Sequence, residues 1–103
     1  MNTSDRELLE AAYAAYRPGE NYTRLVNDAG SDYWNPLTDD GDALRLAVKL
    51  GLLVDVWLQQ KVCIASNQGE ELVDAREQFG NDPYAATRRA IVRAAAEIGR
   101  SME

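Results

Sequence analysis

The chain has no histidine, one cysteine and fewer cations than acids, and each shortage limits what the protein can do. Without histidine, the commonest general base and the commonest ligand for zinc or iron are missing, as is any nucleophile activated by an imidazole. The single Cys63 excludes an intrachain disulfide and a thiolate metal cluster, and its apolar neighbours predict a buried packing residue. The sequence therefore predicts a protein that is not an enzyme, with no catalytic residue, no metal site and no cofactor.

Charge and hydropathy narrow the class of protein further. With 11 Lys or Arg against 17 Asp or Glu, the net charge is −6, which argues against direct binding to nucleic acid. No apolar run approaches the length of a membrane span, and the first residues, MNTSDRELLE, lack the features of a signal peptide. We therefore expect a cytoplasmic protein in a reducing compartment, with no membrane partner.

Length and composition fit one folded domain. A chain of 103 residues with 46% apolar and 27% charged residues can bury one core, but it is too short for a catalytic domain with a second module. We therefore predict a single domain over residues 1–103.

Three stretches show apolar residues at helical spacing after a capping signal. The signals are Ser4 with Glu7, then one of Thr38, Asp39 or Asp40, and finally Asp82 followed by Pro83. In the second stretch, one broad face holds Leu44, Ala47, Val48 and Leu50, and Gly51 suits a left-handed C-terminal cap. The predicted helices cover residues 5 to 16, residues 39 to 50 and the stretch that starts at Pro83.

Four further stretches contain residue types that favour strands. NYTRLVN gives a first strand at residues 21 to 27, and ELVDARE at residues 71 to 77 predicts a strand or a short helix. Between them, LLVDVWLQ and KVCIAS predict two antiparallel strands that turn near Gln59 and Gln60, with Trp57 buried in the core. The predicted fold class is therefore α+β, with three helices packed on a small antiparallel sheet of three to four strands in the order α-β-α-β-β-(β)-α.

The stretch DYWNPLTDDGDALRLAVKLG, residues 32 to 51, gathers four acids in front of the second helix. An EF-hand calcium loop would need Gly41 at its sixth position, which puts Pro36 at the first ligand position and Ala47 where the closing Glu belongs. A calcium cage therefore cannot form there. The acids fit a helix start instead, because they meet the positive end of the helix dipole.

Several residues are candidates for binding a partner or a ligand. Tyr33 and Trp34 precede the second helix, where they could form an exposed lip or pack on the core. Arg89, Arg93 and Arg100 lie near one side of the last helix, where they could hold phosphates or pair with acids of neighbouring elements. The predicted binding residues are Tyr33, Trp34, Asp39, Asp40, Asp42, Arg89 and Arg93.

Two blocks of sequence resemble small proteins of tailed phages and prophages. The blocks are YWNPLTDDGDALRLAVKLGL at residues 33 to 52 and DPYAATRRAIVRAAAEIGRSM at residues 82 to 102. They resemble the phage ABA-sandwich domain group, which is similar to the NinX-like phage proteins. The resemblance implies a phage accessory protein with helices packed on a sheet, and it assigns no catalytic residue.

Two functions are consistent with these predictions. The first is a non-enzymatic phage accessory protein that binds and inhibits a host protein, as an anti-defence protein of the anti-CRISPR kind does. The first 48 residues hold nine acids against four arginines, which suits docking on the basic surface of a nucleic-acid-binding effector. The alternative is a sponge that sequesters a nucleotide signalling molecule between two copies of the chain, held by Arg89, Arg93, Tyr33 and the amino end of the second helix.

A homodimer is also expected. A small domain with five Tyr and two Trp can leave an apolar strip uncovered, and a symmetric dimer would bury that strip against itself.

Overall fold

A computed structural model describes residues 3–20, 34–67 and 73–102 of the chain. These ranges hold α1 (Thr3–Tyr16), α2 (Asp40–Leu50), β1 (Leu52–Trp57), β2 (Val62–Asn67), β3 (Asp74–Gln78) and α3 (Pro83–Ser101). The strands form one antiparallel sheet in the order β1-β2-β3, so the fold class is α+β as predicted. The described order is α-α-β-β-β-α. The strand predicted at residues 21 to 27 lies outside the described residues.

The predicted starts of the second and third helices are confirmed. Asp39 is the N-cap of α2, with extended backbone and a side chain that accepts a hydrogen bond from the backbone N–H of Asp42. Asp82 caps α3 in the same way by accepting from the backbone N–H of Tyr84. Gly51 closes α2 in the left-handed region, with φ of 64°, where a side chain would be strained. Local capping chemistry therefore determines where these helices begin and end.

Helix α3 is the centre of the core. It covers one face of the sheet, where Cys63, Ala65 and Ala75 are buried, and its other side packs against α1. The two helices approach most closely at Gly99, where an added Cβ would stand 1.9 Å from the carbonyl oxygen of Ala11. Burial raises the pKa of the Cys63 thiol above its ordinary value. The predicted packing role of Cys63 is confirmed.

An aromatic cluster fixes the segment that leads into α2. Trp34 is 9% exposed. Its ring stands edge-on to Tyr13 at a centroid distance of 5.0 Å and stacks on Tyr16 at 5.4 Å. Such ring pairs add to the free energy that burial of their surface supplies. The cluster therefore anchors the start of α2 on the last turns of α1.

The hairpin of β1 and β2 is confirmed, but the predicted burial of Trp57 is wrong. The register places Val54 opposite Ala65 and Val56 opposite Cys63, so these valines share the face that the helices cover. Side chains alternate between the faces of a strand, so Trp57 lies on the opposite face, where it is 48% exposed. The strand predicted near residues 71 to 77 is also confirmed, as β3.

Candidate functional site

The acids at the start of α2 are each held by another group in the protein. Asp39 caps the helix, and the Asp42 carboxylate accepts a hydrogen bond from the backbone N–H of Asn35 at 2.9 Å. Asp40 forms an ion pair with Arg88 at 2.6 Å. Within the described ranges, no group of three or more His, Cys, Asp or Glu side chains is placed to hold a metal ion. The acids build the helix start, as predicted.

Two of these acids also remain accessible. The side chains of Asp39 and Asp40 are 58% and 71% exposed, so a partner could still reach their carboxylates. Their contact with a partner stays a prediction.

The arginines of α3 point towards different elements. Arg89 pairs with Asp5 of α1 at 2.9 Å, and Arg93 pairs with Glu77 of β3 at 2.5 Å. Arg88 is the residue of α3 that reaches the amino end of α2, where it pairs with an acid. Within one copy of the chain, Arg89 and Arg93 therefore do not meet the amino end of α2, and a nucleotide pocket between two copies stays a prediction. Their role agrees with the other reading of the sequence, pairing with neighbouring acids.

The predicted aromatic lip consists of Tyr33 and Trp34, and the two residues have different outcomes. Tyr33 lies outside the described residues. The ring of Trp34 packs between α1 and α2 in the core, so it cannot serve as an exposed lip. This prediction is corrected for Trp34, because the rings of Tyr13 and Tyr16 hold it in the core.

An apolar groove of about 480 Å³ lies between α2, β1 and the first turns of α3. Four of its large apolar side chains are exposed: Val56 at 48%, Leu44 at 64%, Tyr84 at 71% and Leu58 at 72%. Soluble proteins rarely leave clustered apolar side chains of this size in water unless the surface binds something. The apolar groove is lined mainly by Ala43, Leu44, Ala47, Val54, Val56, Leu58, Tyr84 and Ile91.

A ridge on α2 borders the apolar groove. Val48 lies one turn after Leu44 and is 72% exposed, while Leu46 and Ala47 of the same helix are buried. The α2 ridge, formed by Leu44 and Val48, separates the apolar groove from a second hollow, lined in part by Tyr16. The broad apolar face expected for this helix is therefore only partly covered.

The outer edge of β1 faces away from the rest of the sheet. Lys61 accepts a backbone hydrogen bond from Phe79, so the odd-numbered residues of β2 bond to β3 and the even-numbered ones bond to β1. The β1 partners of those even-numbered residues are Leu53, Asp55 and Trp57. The backbone groups of Leu52, Val54 and Val56 therefore point outward. In the part of the chain that the structure describes, β1 pairs with β2 alone.

The sheet face opposite the helices presents a tryptophan. Trp57 is 48% exposed and Leu53 is 44% exposed, and the half-buried Val62 and Ile64 lie beside them on β2. These residues form an apolar strip across two strands, in which Asp55 lies between Leu53 and Trp57, and Asp74 and Arg76 of β3 border the strip. The open sheet face, as the register defines it, consists of Leu53, Asp55, Trp57, Val62, Ile64, Ser66, Asp74, Arg76 and Gln78.

Among the exposed apolar residues in these surfaces, only Trp57 is a binding candidate from the sequence, and the sequence favours its burial in the core. Leu44 and Tyr84 belong to helices with ordinary apolar periodicity, and Trp57 belongs to an alternating strand. One signal was present: β1 is apolar at both alternating sets of positions except Asp55. A strand of that composition is covered on both faces or carries an exposed apolar surface.

Comparison of the chain with protein-family models, with curated proteins and with solved structures gives no match. The resemblance to the phage group therefore stays a prediction. Among the helices in the described ranges, none combines the length and the apolar character needed to cross a membrane. The exposed surfaces of the described residues that can contact a partner are the apolar groove, the α2 ridge, the β1 edge and the open sheet face.

Proposed function

We propose that this protein is a non-enzymatic, phage-encoded accessory protein that binds and inhibits a host protein in the host cytoplasm. The open sheet face makes the contact. The observation that carries this proposal is the exposed Trp57 within an apolar strip on a sheet. Tryptophan is enriched among the residues that dominate binding energies, because its large ring buries much surface when a partner covers it.

The strip has rigid support. Trp57 stands opposite Val62 on β2. Ile64 stands opposite Asp55 and diagonally beside Trp57 and Leu53, so apolar side chains of the two strands lie within reach of one another. Helix α3 packs against the other face of the same strands. A binding residue on a supported sheet is held in one geometry more firmly than one on a loop, which favours specific recognition.

Charge favours a basic partner. The protein carries a net charge of −6, and three arginines of α3 are already paired with acids of α1, α2 and β3. On the open sheet face, Asp55 and Asp74 outnumber Arg76. An acidic protein with an apolar anchor can dock on the basic surface of a nucleic-acid-binding effector and compete there with nucleic acid. Inhibition by this route requires no chemistry.

A capture experiment tests the proposal. Tagged protein and its Trp57→Ala variant are incubated with host lysate at low and moderate salt, and the captured proteins are identified by mass spectrometry. We expect one host protein to be captured by the unmodified protein and lost with Trp57→Ala, and its activity to fall when the unmodified protein is added. Tyr84→Ala, which removes an exposed aromatic ring outside the open sheet face, is the matched control and should retain capture. Equal capture by the unmodified protein and Trp57→Ala, or no capture at all, would contradict the proposal.

Thermal-shift screening separates this proposal from the nucleotide sponge. Because Arg89 and Arg93 are held by acids of α1 and β3, a nucleotide would have to break those ion pairs before binding. We expect no rise in melting temperature with cyclic or linear nucleotides. A concentration-dependent rise would support the sponge, because a ligand that binds only the folded state must stabilise it.

A further inference from the structure

We propose that the outer edge of β1, which pairs with no other strand among the described residues, binds a second copy of this chain together with the apolar groove and the α2 ridge. The two three-stranded sheets join edge to edge across a two-fold axis and form one six-stranded sheet. This surface is separate from the open sheet face, so the inference does not depend on the proposed host contact.

The two edge strands of the sheet, β1 and β3, differ in how many charged residues they carry. Edge strands normally carry charges or proline that prevent another strand from adding to them. β3 follows this rule, with Asp74, Arg76 and Glu77 among its five residues. β1 has the sequence LLVDVW, and its outward-facing backbone groups belong to leucine and valine residues. The β1 edge is therefore open to strand addition, and the β3 edge is protected against it.

The flank beside β1 is complementary to itself. The α2 ridge protrudes with Leu44 and Val48, and the apolar groove lies directly beside it. In a symmetric dimer each copy contributes the same patch, so a ridge beside a groove allows each ridge to fill the groove of the other copy. The nearby charges do not oppose this contact, because Arg88 neutralises Asp40 and Arg45 neutralises Asp42 within each copy.

The exposed apolar surface has the size that a dimer needs. Leu44, Val48, Val56, Leu58 and Tyr84 are between 48% and 72% exposed. Together they leave on the order of 600 Å² of accessible side-chain surface, which is at the upper end for a single patch on a monomer. A standard interface buries about 800 Å² per partner, and the strand backbone with its polar rim supplies the difference.

Symmetric registers centred on Val54 and on Asp55 give the longest overlap of β1 with itself, and the charge on β1 decides between them. An antiparallel pair centred on Val54 places Val54 of both copies opposite one another and Asp55 of each copy opposite Leu53 of the other. A pair centred on Asp55 would place two carboxylates directly opposite, which destabilises a sheet. We therefore expect the two-fold axis to pass beside Val54.

Sedimentation equilibrium of the full chain, over a range of concentrations, tests the proposal. The unmodified protein should have the mass of a dimer. Leu44→Glu places a charge in the ridge, and Val54→Pro removes an outward N–H without removing a bond to β2. Each variant should raise the dimer dissociation constant at least about a hundredfold, as loss of a central contact does. Circular dichroism checks that both variants are folded, and Trp57→Ala, on the other sheet face, should remain a dimer.

Cross-linking tests the register without relying on disruption. In the Val54→Cys variant, mild oxidation at low protein concentration should yield a covalent dimer, because paired strand residues at the axis lie within disulfide range. The double variant with Leu44→Glu should yield much less. The native thiol of Cys63 is buried and should not react in its place.

Two results would overturn the proposal: a monomer mass for the unmodified protein at all concentrations, or a dimer that both Leu44→Glu and Val54→Pro leave intact. The host contact is decided separately. A monomer that captures a host protein through Trp57 contradicts only the dimer, and a dimer without host capture contradicts only the proposed function.

Discussion

Helices α3 and α2 begin in the same way but differ in how much of their surface is covered. Each starts at an aspartate cap, Asp82 or Asp39, in extended backbone. α3 lies between α1 and the sheet, so its apolar residues are buried on two sides, whereas α2 packs on one side and leaves Leu44 and Val48 exposed. Amphipathic spacing shows which residues share a side of a helix. It does not show whether the fold supplies a neighbour to cover that side.

Two leucines of α2 give the sharpest test of this difference. Leu46 is fully buried and Leu44 is 64% exposed, although they are two residues apart. We expect Leu46→Ala to lower the free energy of unfolding by about 4 kcal/mol, because it leaves a cavity in a packed core. Leu44→Ala should change it by less than about 0.5 kcal/mol in a monomeric background, which Val54→Pro supplies. Urea unfolding measures both, and similar losses would contradict the assignment of Leu44 to the surface.

The covered side of α3 can be tested at its closest contact. Gly99→Ala forces a Cβ against the carbonyl oxygen of Ala11, so α1 and α3 must separate. We expect a loss of about 2 kcal/mol of stability, since the steric cost exceeds the gain in helix propensity. The matched control is Glu97→Ala on the exposed side of the same helix, which should be nearly neutral. A neutral or stabilising Gly99→Ala would show that the two helices have room to spare.

The aspartate cap that starts both α2 and α3 predicts a smaller loss of stability when it is removed. Asp39→Ala removes the acceptor for the backbone N–H of Asp42 and should cost about 1 kcal/mol, with no dependence on calcium. Asp39→Asn keeps an acceptor and should retain nearly all of that stability. The hydroxyl of Thr38 makes only a long hydrogen bond, of 3.4 Å, so Thr38→Ala is the control. A calcium-dependent rise in melting temperature that Asp39→Asn abolishes would contradict the structural role of the acid.

The weakest expected effect is a change in stability at high pH. Burial and the hydrogen bond to Glu20 raise the pKa of Tyr13 above its ordinary value of 10.0. The contribution of Tyr13 to the free energy of unfolding is therefore complete below pH 10.0, and it is lost as the pH rises through the higher pKa of Tyr13 in the folded protein. We expect the free energy of unfolding to fall less steeply above pH 10 in Tyr13→Phe than in the unmodified protein. Parallel curves from urea titrations at several pH values would rule out this contribution.

Local chemistry was enough to predict much of the fold. An aspartate before a periodic stretch, a glycine after it and a proline at the first helical position located α2 and α3, because caps act within one turn. The hairpin was predictable from alternation and the polar residues between β1 and β2. These signals depend on neighbours along the chain, and no distant contact is needed to read them.

The errors concern contacts between distant residues. Alternation in β1 separates Trp57 from Val54 and Val56, but it does not reveal which set the helices cover, and for this reason the prediction of a buried Trp57 is wrong. The partners of Arg88 and Arg89 lie 48 and 84 residues away, which no local spacing can indicate. The candidate binding surfaces could not be predicted for the same reason, because the exposure of a side chain depends on whether a distant helix or strand covers it.

The joint between α2 and β1 has a kinetic consequence. Gly51 is the single residue between them, and its N–H is held by carbonyls of the last helical turn, so the two walls of the apolar groove are joined by a short, hydrogen-bonded connection. In the proposed dimer, a second copy would meet a groove whose walls, among the described residues, are already joined. Association should then proceed in one phase at the ordinary docking rate of roughly 10⁵–10⁷ M⁻¹s⁻¹. Substitutions in the apolar groove or the α2 ridge should change the dissociation rate constant of the dimer much more than its association rate constant.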